Sequence, residues 1–203
     1  MSTEIEGVVK YSLDFTNEEV DIEYESIVLE ECRDRLYALG LIGAYEDGIG
    51  FGNISKRYQN SDQFVITSTQ TGHLESLSLD QYSLVKNIDF DSFKTTASGL
   101  SKPSSECITH GAIYNLDSNI DAVIHVHNEK LWDFMLKNDY LSTNDTPYGT
   151  PEMVEDVIAM YKDKEPLLNN LFVMKGHFEG IVSFGRDLPE AESVLYKLVK
   201  RFI

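Results

Sequence analysis

Residues 122–128 read AVIHVHN, and this stretch is the most informative part of the sequence for the fold. The apolar and β-branched residues predict a β-strand. Because side chains alternate between the two faces of a strand, His125 and His127 project from the same face, about two strand rises apart. Two imidazoles in this arrangement can reach one metal ion. For this motif taken alone, the alternative is a pair of buried histidines that bond to backbone groups.

His177 is the candidate for a third ligand. Catalytic zinc sites usually hold three protein ligands and leave one position open for water or substrate. A strand is predicted over residues 171–175, and His177 follows it at a break formed by Lys175 and Gly176. If this strand neighbours residues 122–128 in the sheet, it delivers His177 to the other two histidines.

Glu106 is the candidate general base. Pro103 predicts the first residue of a helix that runs to about Tyr114. Glu106 then lies in the first turn, where the helix dipole favours a carboxylate. Residues 104 and 105 are serines, so the helix start offers N–H groups and hydroxyls that can hold an anion such as phosphate. A helix-capping glutamate is the alternative. His110, four residues later on the same helix face, either reaches the site itself or supports Glu106 from behind, and support is favoured.

The rest of the chain mixes helices and strands. Further helices are predicted over residues 23–39, near residues 130–137, from Pro151 behind a Thr150 cap, and from Pro189. The apolar positions that predict the first of these are Tyr24, Ile27, Val28, Leu36 and Leu39. Strands are predicted at residues 64–67 and 180–184, with an edge strand or arm at residues 7–15. Several joins are too short for crossover helices, which favours a mixed or antiparallel sheet flanked by helices over a doubly wound parallel sheet.

Charge and composition narrow the possible partners and location. The 34 acidic residues outnumber the 17 lysines and arginines, so the net charge is −17. Such a chain repels nucleic-acid backbones, and no nucleic-acid partner is expected. Ten of the acids lie within residues 1–31, against Lys10 alone. With no long apolar run and no secretory signal, we expect no membrane association, a cytoplasmic location and two reduced cysteines.

Six short motifs occur in an order and spacing that resemble the class II aldolase/adducin family. They are Gly52-Asn53-Ile54-Ser55; Ile66-Thr67 with Thr71-Gly72; Lys102-Pro103-Ser104-Ser105-Glu106; His125-Val126-His127; Tyr148-Gly149-Thr150-Pro151-Glu152; and His177 with Gly180, Phe184 and Gly185. The resemblance covers about residues 23–200. It implies an α/β fold, a single three-layer α/β/α domain with a central, mostly antiparallel sheet. Residues 23–203 are assigned to this domain, and residues 1–22 to an acidic N-terminal arm or strand.

The resemblance also assigns roles to individual residues. It implies that His125, His127 and His177 bind Zn²⁺, or another divalent metal such as Mn²⁺, Co²⁺ or Fe²⁺. Glu106 is implied to be the catalytic acid/base, and a candidate ligand of the metal before substrate binds. Residues that fall where the family holds a substrate phosphate are Gly52, Asn53, Thr71, Gly72, Ser104 and Ser105.

The activity that the resemblance implies is that of a zinc-dependent aldolase, which is a lyase. Such an enzyme forms or cleaves a C–C bond in a small, phosphorylated ketose through a metal-stabilised enediolate, so the partners are a sugar phosphate and an aldehyde. An epimerase or dehydratase on the same metal platform is the alternative, and a non-catalytic adducin-like interaction domain is a third. The family usually forms homotetramers with active sites between subunits.

The sequence departs from the family pattern at the expected site. Two extra residues lie between Ile66-Thr67 and Thr71-Gly72, and the usual His-Gly after the last strand is replaced by His177-Phe178-Glu179-Gly180. These changes bring His73 and Glu179 near the pocket. In related aldolases a tyrosine of the neighbouring subunit protonates the aldehyde oxygen. No tyrosine falls on that place here, and Tyr148 and Asp145 are the candidates to replace it.

Overall fold

Ten strands and five α-helices follow one another in the part of the chain that the structure describes. The structure is a computed structural model that describes residues 8–59, 61–162, 165 and 170–202. The strands are β1 (Ser12–Asn17), β2 (Gly43–Ala44), β3 (Gly50–Phe51), β4 (Asn53–Arg57), β5 (Phe64–Thr67), β6 (Tyr82–Asp89), β7 (Lys94–Gly99), β8 (Ala122–His127), β9 (Leu171–Val173) and β10 (Gly180–Gly185). The helices are α1 (Glu23–Ala38), α2 (Cys107–Tyr114), α3 (Glu129–Lys137), α4 (Pro151–Tyr161) and α5 (Leu188–Val199). None of the helices in these ranges combines the length and the apolar character needed to cross a bilayer.

Eight of the strands form one sheet, in the order β1-β7-β6-β5-β4-β8-β10-β9, while β2 and β3 form a separate hairpin. In the large sheet β1 pairs with β7 in parallel. Its other pairings are antiparallel. The mostly antiparallel sheet expected from the sequence is therefore confirmed. Strand β8, which carries two of the histidines, lies inside the sheet between β4 and β10.

Helices cover both faces of the sheet and give the three-layer α/β/α arrangement. Buried side chains of α1, α3 and α5 form one core with one face of the sheet, and those of α2 and α4 form a second core with the other face. Strand β8 contributes to both, because Ile124 and Val126 lie in the first core and Val123 lies in the second. Since side chains alternate along a strand, His125 and His127 lie on the face that α2 and α4 cover.

Helix α2 starts later than the sequence predicts. The predicted start at Pro103 is wrong, since the helix begins at Cys107 and Glu106 is its N-cap residue. Pro103 forms an antiparallel bridge with Ser68, and the N–H of Ser104 donates to the carbonyl of Thr67 at 3.1 Å. These contacts hold the segment against the end of β5, so the chain turns into a helix only about one turn later.

Another helix start follows the sequence closely. The Thr150 hydroxyl accepts a hydrogen bond from the N–H of Met153 at 3.3 Å, and α4 begins at Pro151, as predicted. The Asp187 carboxylate accepts a hydrogen bond from the N–H of Glu190 at 2.7 Å, so α5 begins at Leu188, just before the predicted proline. Side-chain caps of this kind satisfy N–H groups that have no partner within the helix.

Helix α1 buries a different face from the one predicted. Tyr24 and Ile27 are 68% and 53% exposed, so the predicted apolar stripe is wrong at these positions. The buried stripe runs instead through Leu29, Cys32 and Leu36, which have the same three- and four-residue spacing. Arg33 is buried beside this stripe, at 1% exposure.

Strands β6 and β7 are not predicted by the sequence. They connect β5 to β1, which is one of the two edge strands of the sheet. In β6 only the first four residues are buried, and the buried residues of β7 are small or polar, so the apolar pattern is short. The edge strand itself lies at Ser12–Asn17, later than the predicted residues 7–15.

Candidate metal centre

Three histidines converge at one point beside the sheet. His125 and His127 lie on β8, and His177 lies in the turn between β9 and β10. Because β10 pairs with β8, with Gly180 opposite His127, this turn brings His177 to the two strand histidines. One ligand atom from each of the three residues lies within 4.8 Å of the others, and all three residues are buried.

The turn that carries His177 is closely packed. The N–H of His177 donates to the carbonyl of Met174 at 3.2 Å, and the N–H of Gly180 donates to the carbonyl of His177 at 2.9 Å. A Cβ atom at Gly176 would lie 2.2 Å from the backbone nitrogen of Thr146. Only glycine permits such a close approach between two backbones. Gly176 therefore helps to position His177, the next residue, in the site.

The three imidazoles suit a divalent metal ion. The Nε2 atoms of His125 and His127 are 3.0 Å apart, and two nitrogen ligands of a tetrahedral zinc ion are separated by about 3.3 Å. Burial, followed by the nearby His177 and His125, lowers the pKa of His127 well below its usual value, so this ring is neutral. Neutral imidazole nitrogens are preferred ligands of zinc and of similar ions. The donor set therefore fits the metal that the sequence predicts.

Glu106 lies against the histidine cluster. Its Oε1 atom is 3.2 Å from Nδ1 of His177, and the residue is only 1% exposed. Burial acts to raise the pKa of Glu106, but the interaction with His177 and the charge of His125 outweigh it and hold the pKa at about 2. The side chain is therefore a carboxylate at neutral pH. Its place beside the histidines suits a group that exchanges a proton with substrate.

The hairpin formed by β2 and β3 places two aromatic residues on His127 that the sequence does not assign to the site. The Tyr45 hydroxyl lies 2.8 Å from Nδ1 of His127 and donates a hydrogen bond to Oε2 of Glu179 at 2.9 Å. The Phe51 ring stacks on the His127 ring, with 5.4 Å between their centroids. Glu179 was expected near the site and lies there, whereas His73 is exposed.

His110 is buried behind the site and has a different partner from the one expected. Its Nδ1 atom lies 2.7 Å from the hydroxyl of Ser55, which lies 2.8 Å from the hydroxyl of Tyr114. Burial, followed by the charge of His125, lowers the pKa of His110 to about 3, so the ring is neutral. His110 thus ties α2 to β4 instead of holding Glu106 directly.

The six residues expected to hold a phosphate come together in one small polar pocket. Its lining consists of Gly50, Gly52, Asn53, Ser68, Thr69, Gln70, Thr71, Gly72, Ser104 and Ser105. Asn53 is opposite His125 in the pairing of β4 with β8, so the pocket adjoins the histidines. Lysine and arginine are absent from this lining, and Lys102 is exposed. An anion in this pocket would therefore be held by neutral hydrogen-bond donors.

Buried Arg33 holds the loop that forms one wall of this pocket. Its guanidinium donates to the carbonyl of Thr71 at 3.3 Å, to that of Glu75 at 3.1 Å, and also to that of Leu74. The Glu30 carboxylate lies 3.8 Å away and accepts a hydrogen bond from the N–H of Leu77. A single cation therefore satisfies three carbonyls of one loop, which explains its place on the buried face of α1.

We expect replacement of Arg33 by methionine to lower the free energy of unfolding by about 2–4 kcal/mol, because three carbonyls lose a charged donor. Urea denaturation measures this change. Arg186→Met is the matched control on the surface. Arg186 is exposed and pairs with Glu190 at 3.0 Å, so its loss should change the free energy of unfolding far less. Equal losses in the two variants would contradict the role given to Arg33.

The two candidate acids occupy different environments. Tyr148 is buried, its ring lies 4.7 Å from the ring of His177, and its hydroxyl accepts a hydrogen bond from the N–H of Val8 at 3.1 Å. Asp145 is exposed. It precedes Thr146, the residue whose backbone lies close to Gly176. Tyr148 is thus packed within its own chain, whereas Asp145 is open to a neighbouring molecule.

The fold and the histidine cluster together define a candidate metal-binding α/β/α domain. The sequence matches the Class II Aldolase and Adducin N-terminal domain family over residues 45–202. The chain therefore belongs to this family, as the motifs indicated. No protein of curated function matches the sequence.

Solved structures of similar fold include three bacterial proteins, each 17% identical to this chain. YgbL from Klebsiella pneumoniae has a TM-score of 0.67, with 91% of this chain and 90% of that chain covered. A sugar-phosphate aldolase from Thermotoga maritima has a TM-score of 0.63, with 88% and 92% covered. L-fuculose-1-phosphate aldolase from Thermus thermophilus has a TM-score of 0.62, with 87% and 89% covered. At this identity the likeness establishes the fold.

Proposed function

We propose that the protein is a zinc-dependent aldolase acting on a small, phosphorylated ketose. One juxtaposition carries the proposal. Three buried histidines lie within 4.8 Å of one another, and the Glu106 carboxylate lies 3.2 Å from one of them. The polar pocket that contains Ser104 and Ser105 adjoins them. A metal-binding group, a base and an anion pocket are the three parts that carbanion chemistry on a sugar phosphate requires.

His125, His127 and His177 would hold the metal. When bound, the ion supplies Lewis-acid polarisation of the ketose carbonyl. Glu106 and the pocket both lie beside the histidines, so the ketose carbonyl and the phosphate would be held at two ends of one substrate. Neutral donors of Asn53, Thr71 and the two serines would bind the phosphate and orient the reacting carbon.

Glu106 would carry the proton. In the bond-forming direction its carboxylate takes a proton from the carbon next to the ketose carbonyl, and the electron pair left behind forms the new bond to the aldehyde carbon. The aldehyde oxygen then takes a proton from a second acid. In the cleavage direction the second group takes the hydroxyl proton, the C–C bond breaks, and Glu106 returns a proton to carbon.

Product analysis tests the reaction class. The zinc-loaded protein would be incubated with a panel of ketose phosphates while hydrazine traps any aldehyde. Aldehyde formed in equal amount to the substrate lost supports the aldolase. Inversion at one carbon without aldehyde identifies an epimerase, and loss of water identifies a dehydratase. No turnover of any substrate by zinc-loaded protein would favour the adducin-like interaction domain.

The Ser105 hydroxyl should matter only for phosphorylated substrates. We expect Ser105→Ala to raise KM for a phosphorylated ketose about tenfold, because one hydrogen bond to a charged group is lost. KM for the same ketose without its phosphate is the control and should not change. An equal rise for both substrates would place the phosphate elsewhere. Ser105 is preferred over Ser104, whose hydroxyl accepts a hydrogen bond from the N–H of Glu106 at 3.2 Å.

We further propose a homotetramer in which Asp145 of one subunit serves the site of its neighbour. An acid that acts across an interface must lie on the surface of the single chain, as Asp145 does and Tyr148 does not. Asp145→Asn should lower kcat about 100-fold or more, since a positioned proton donor or acceptor is lost. A similar fall in Tyr148→Phe, with kcat of Asp145→Asn unchanged, would make Tyr148 the acid.

Mixed tetramers test the origin of the second group. If Glu106 and Asp145 meet across an interface, unfolding and refolding equal amounts of the Glu106→Gln and Asp145→Asn variants together creates sites with both native groups. Random assortment gives about a quarter of wild-type activity in the mixture, although each variant alone is nearly inactive. Native mass spectrometry confirms the tetramer. Mixed tetramers without recovered activity would contradict the shared site.

A further inference from the structure

The outer nitrogen of His127 leads into a short chain of hydrogen bonds. Nε2 of His127 faces Nε2 of His125 at 3.0 Å, on the side where the metal would lie. Nδ1, on the opposite side of the ring, lies 2.8 Å from the hydroxyl of Tyr45. That hydroxyl donates to Oε2 of Glu179 at 2.9 Å. Glu179 itself is 3.9 Å from Nδ1, too far for a direct hydrogen bond, so Tyr45 mediates the contact.

These hydrogen bonds determine which nitrogen of His127 carries the proton. A tyrosine hydroxyl has one hydrogen, and here it is donated to Glu179. The hydrogen between Tyr45 and His127 therefore belongs to Nδ1 of the imidazole, and Nε2 keeps its lone pair. Histidines that bind metals usually donate their second N–H to a carboxylate or carbonyl, which orients the ring and makes it a better ligand. Here a tyrosine is placed between the histidine and the carboxylate.

All three residues are anchored through their backbones. The N–H of Tyr45 donates to the carbonyl of Ile49 at 2.9 Å, which closes the hairpin between β2 and β3. The N–H of Asn128, directly after His127, donates to the carbonyl of Glu179 at 3.0 Å. The Phe51 ring packs on both Tyr45, at 4.8 Å, and His127, at 5.4 Å. The hydrogen-bond chain is thus a preorganised part of the fold.

Glu179 occupies a backbone conformation that glutamate rarely adopts. Its φ angle is +65°, in the left-handed region that favours glycine. Such strain persists where the surroundings enforce it, and it accumulates at functional sites. Residues 178 and 179 are also the two that separate His177 from Gly180. At this φ angle glutamate has a higher backbone free energy than glycine would have. The cost is offset only if the glutamate side chain makes useful interactions.

We propose that Tyr45 and Glu179 are positioning residues for the metal, and that they act through Nδ1 of His127. The inference rests on the proposed metal site and adds a role for two residues outside it. Glu179 acts only through the Tyr45 hydroxyl. Tyr45 and Glu179 therefore act as one unit. Loss of either should weaken metal binding without removing a metal ligand.

Zinc affinity of the purified protein tests this, measured by competition with a chromophoric chelator. We expect Tyr45→Phe to weaken binding about tenfold and Glu179→Gln to weaken it less, because the amide oxygen still accepts a hydrogen bond. The double variant should bind no more weakly than Tyr45→Phe alone, since the carboxylate acts through the lost hydroxyl. Tyr24→Phe and Glu46→Gln, both at exposed positions, are matched controls that should bind like wild type.

Glu179→Gly separates a role in metal binding from a role in folding. Glycine relieves the strain at a positive φ angle, so Tm of the metal-free protein should stay the same or rise. Zinc affinity should nevertheless fall at least as far as in Glu179→Gln. A residue with only a structural role would move both quantities in the same direction.

Three results would count against the proposal. Wild-type affinity in both Tyr45→Phe and Glu179→Gln would overturn it and leave the metal site intact. Losses that add in the double variant would overturn the order in which Glu179 acts through Tyr45. Wild-type protein that binds no zinc would remove the proposed function, and the inference with it.

Discussion

Replacing His125 with alanine should leave the purified protein without stoichiometric divalent metal and should lower kcat/KM for ketose cleavage about 1000-fold or more. His125 supplies one of three ligand nitrogens, all within 4.8 Å of one another. A site reduced to two imidazoles no longer satisfies zinc, and the lost Lewis acid accounts for several kcal/mol of transition-state stabilisation. Elemental analysis of the dialysed protein gives the metal content, and the aldehyde-trapping assay gives the rate.

The control for this variant is His73→Ala, because His73 is an exposed histidine in the wall loop of the pocket. It should retain both metal and activity. His125 is buried, so alanine also removes packed volume. The variant must therefore keep the far-ultraviolet circular dichroism spectrum of the wild type, and His127→Ala serves as a second test of the same site. One metal per chain in both folded variants would contradict the three-histidine centre.

The parts of the fold that the sequence predicts are those with strong local patterns. Strand β8 is predicted because its apolar run ends in two alternating histidines, and α4 because Thr150 and Pro151 fix its start. The predicted start of α2 at Pro103 is wrong because Pro103 forms a bridge with Ser68, which is distant in sequence. Local sequence patterns cannot reveal such a contact. They also do not predict β6 and β7, because the apolar pattern of these strands is short.

The choice of buried face on α1 failed for a related reason. Hydrophobicity favours Tyr24 and Ile27 for the core, yet both are exposed, while Arg33 is buried. The guanidinium is buried because three carbonyls of the loop at residues 71–75 accept its hydrogen bonds. A sequence shows the charge of Arg33 but not the carbonyls that offset the cost of burying it.

The candidate site divides in the same way. His125, His127, His177 and Glu106 could be proposed from the sequence because each lies in a short motif with a chemical reason. Tyr45 could not, because it reaches His127 only when the hairpin of β2 and β3 folds over β8. Candidate ligands are thus predictable from motifs, whereas the residues proposed to orient them depend on tertiary packing.

The net charge of −17 does not conflict with a phosphorylated substrate. The pocket lining holds no acidic side chain and no basic one. Recognition of an anion there would depend on N–H and hydroxyl groups close to it, together with a metal held by the three histidines. Charges on distant surfaces are screened by salt. The overall charge therefore disfavours a polyanion such as nucleic acid while leaving a small sugar phosphate acceptable.

Glu106→Gln should lower kcat by about 100- to 10,000-fold while zinc content stays at the wild-type level. The amide has nearly the shape of the carboxylate but cannot accept and return a proton, so the general acid/base contribution is lost. The three histidines are unchanged. KM should change little, because the pocket that holds the phosphate is intact. Steady-state kinetics on zinc-loaded protein, with metal content measured on the same sample, gives both quantities.

Exchange of substrate hydrogen with solvent gives a sharper measurement of the same step. In deuterated water the wild type should exchange the hydrogen on the carbon next to the ketose carbonyl even without an aldehyde, since Glu106 removes it before the new bond forms. Glu106→Gln should lose this exchange. Glu152→Gln, an exposed glutamate in the first turn of α4, is the matched control and should exchange at the wild-type rate. Exchange that persists in zinc-loaded Glu106→Gln would assign the base to another residue.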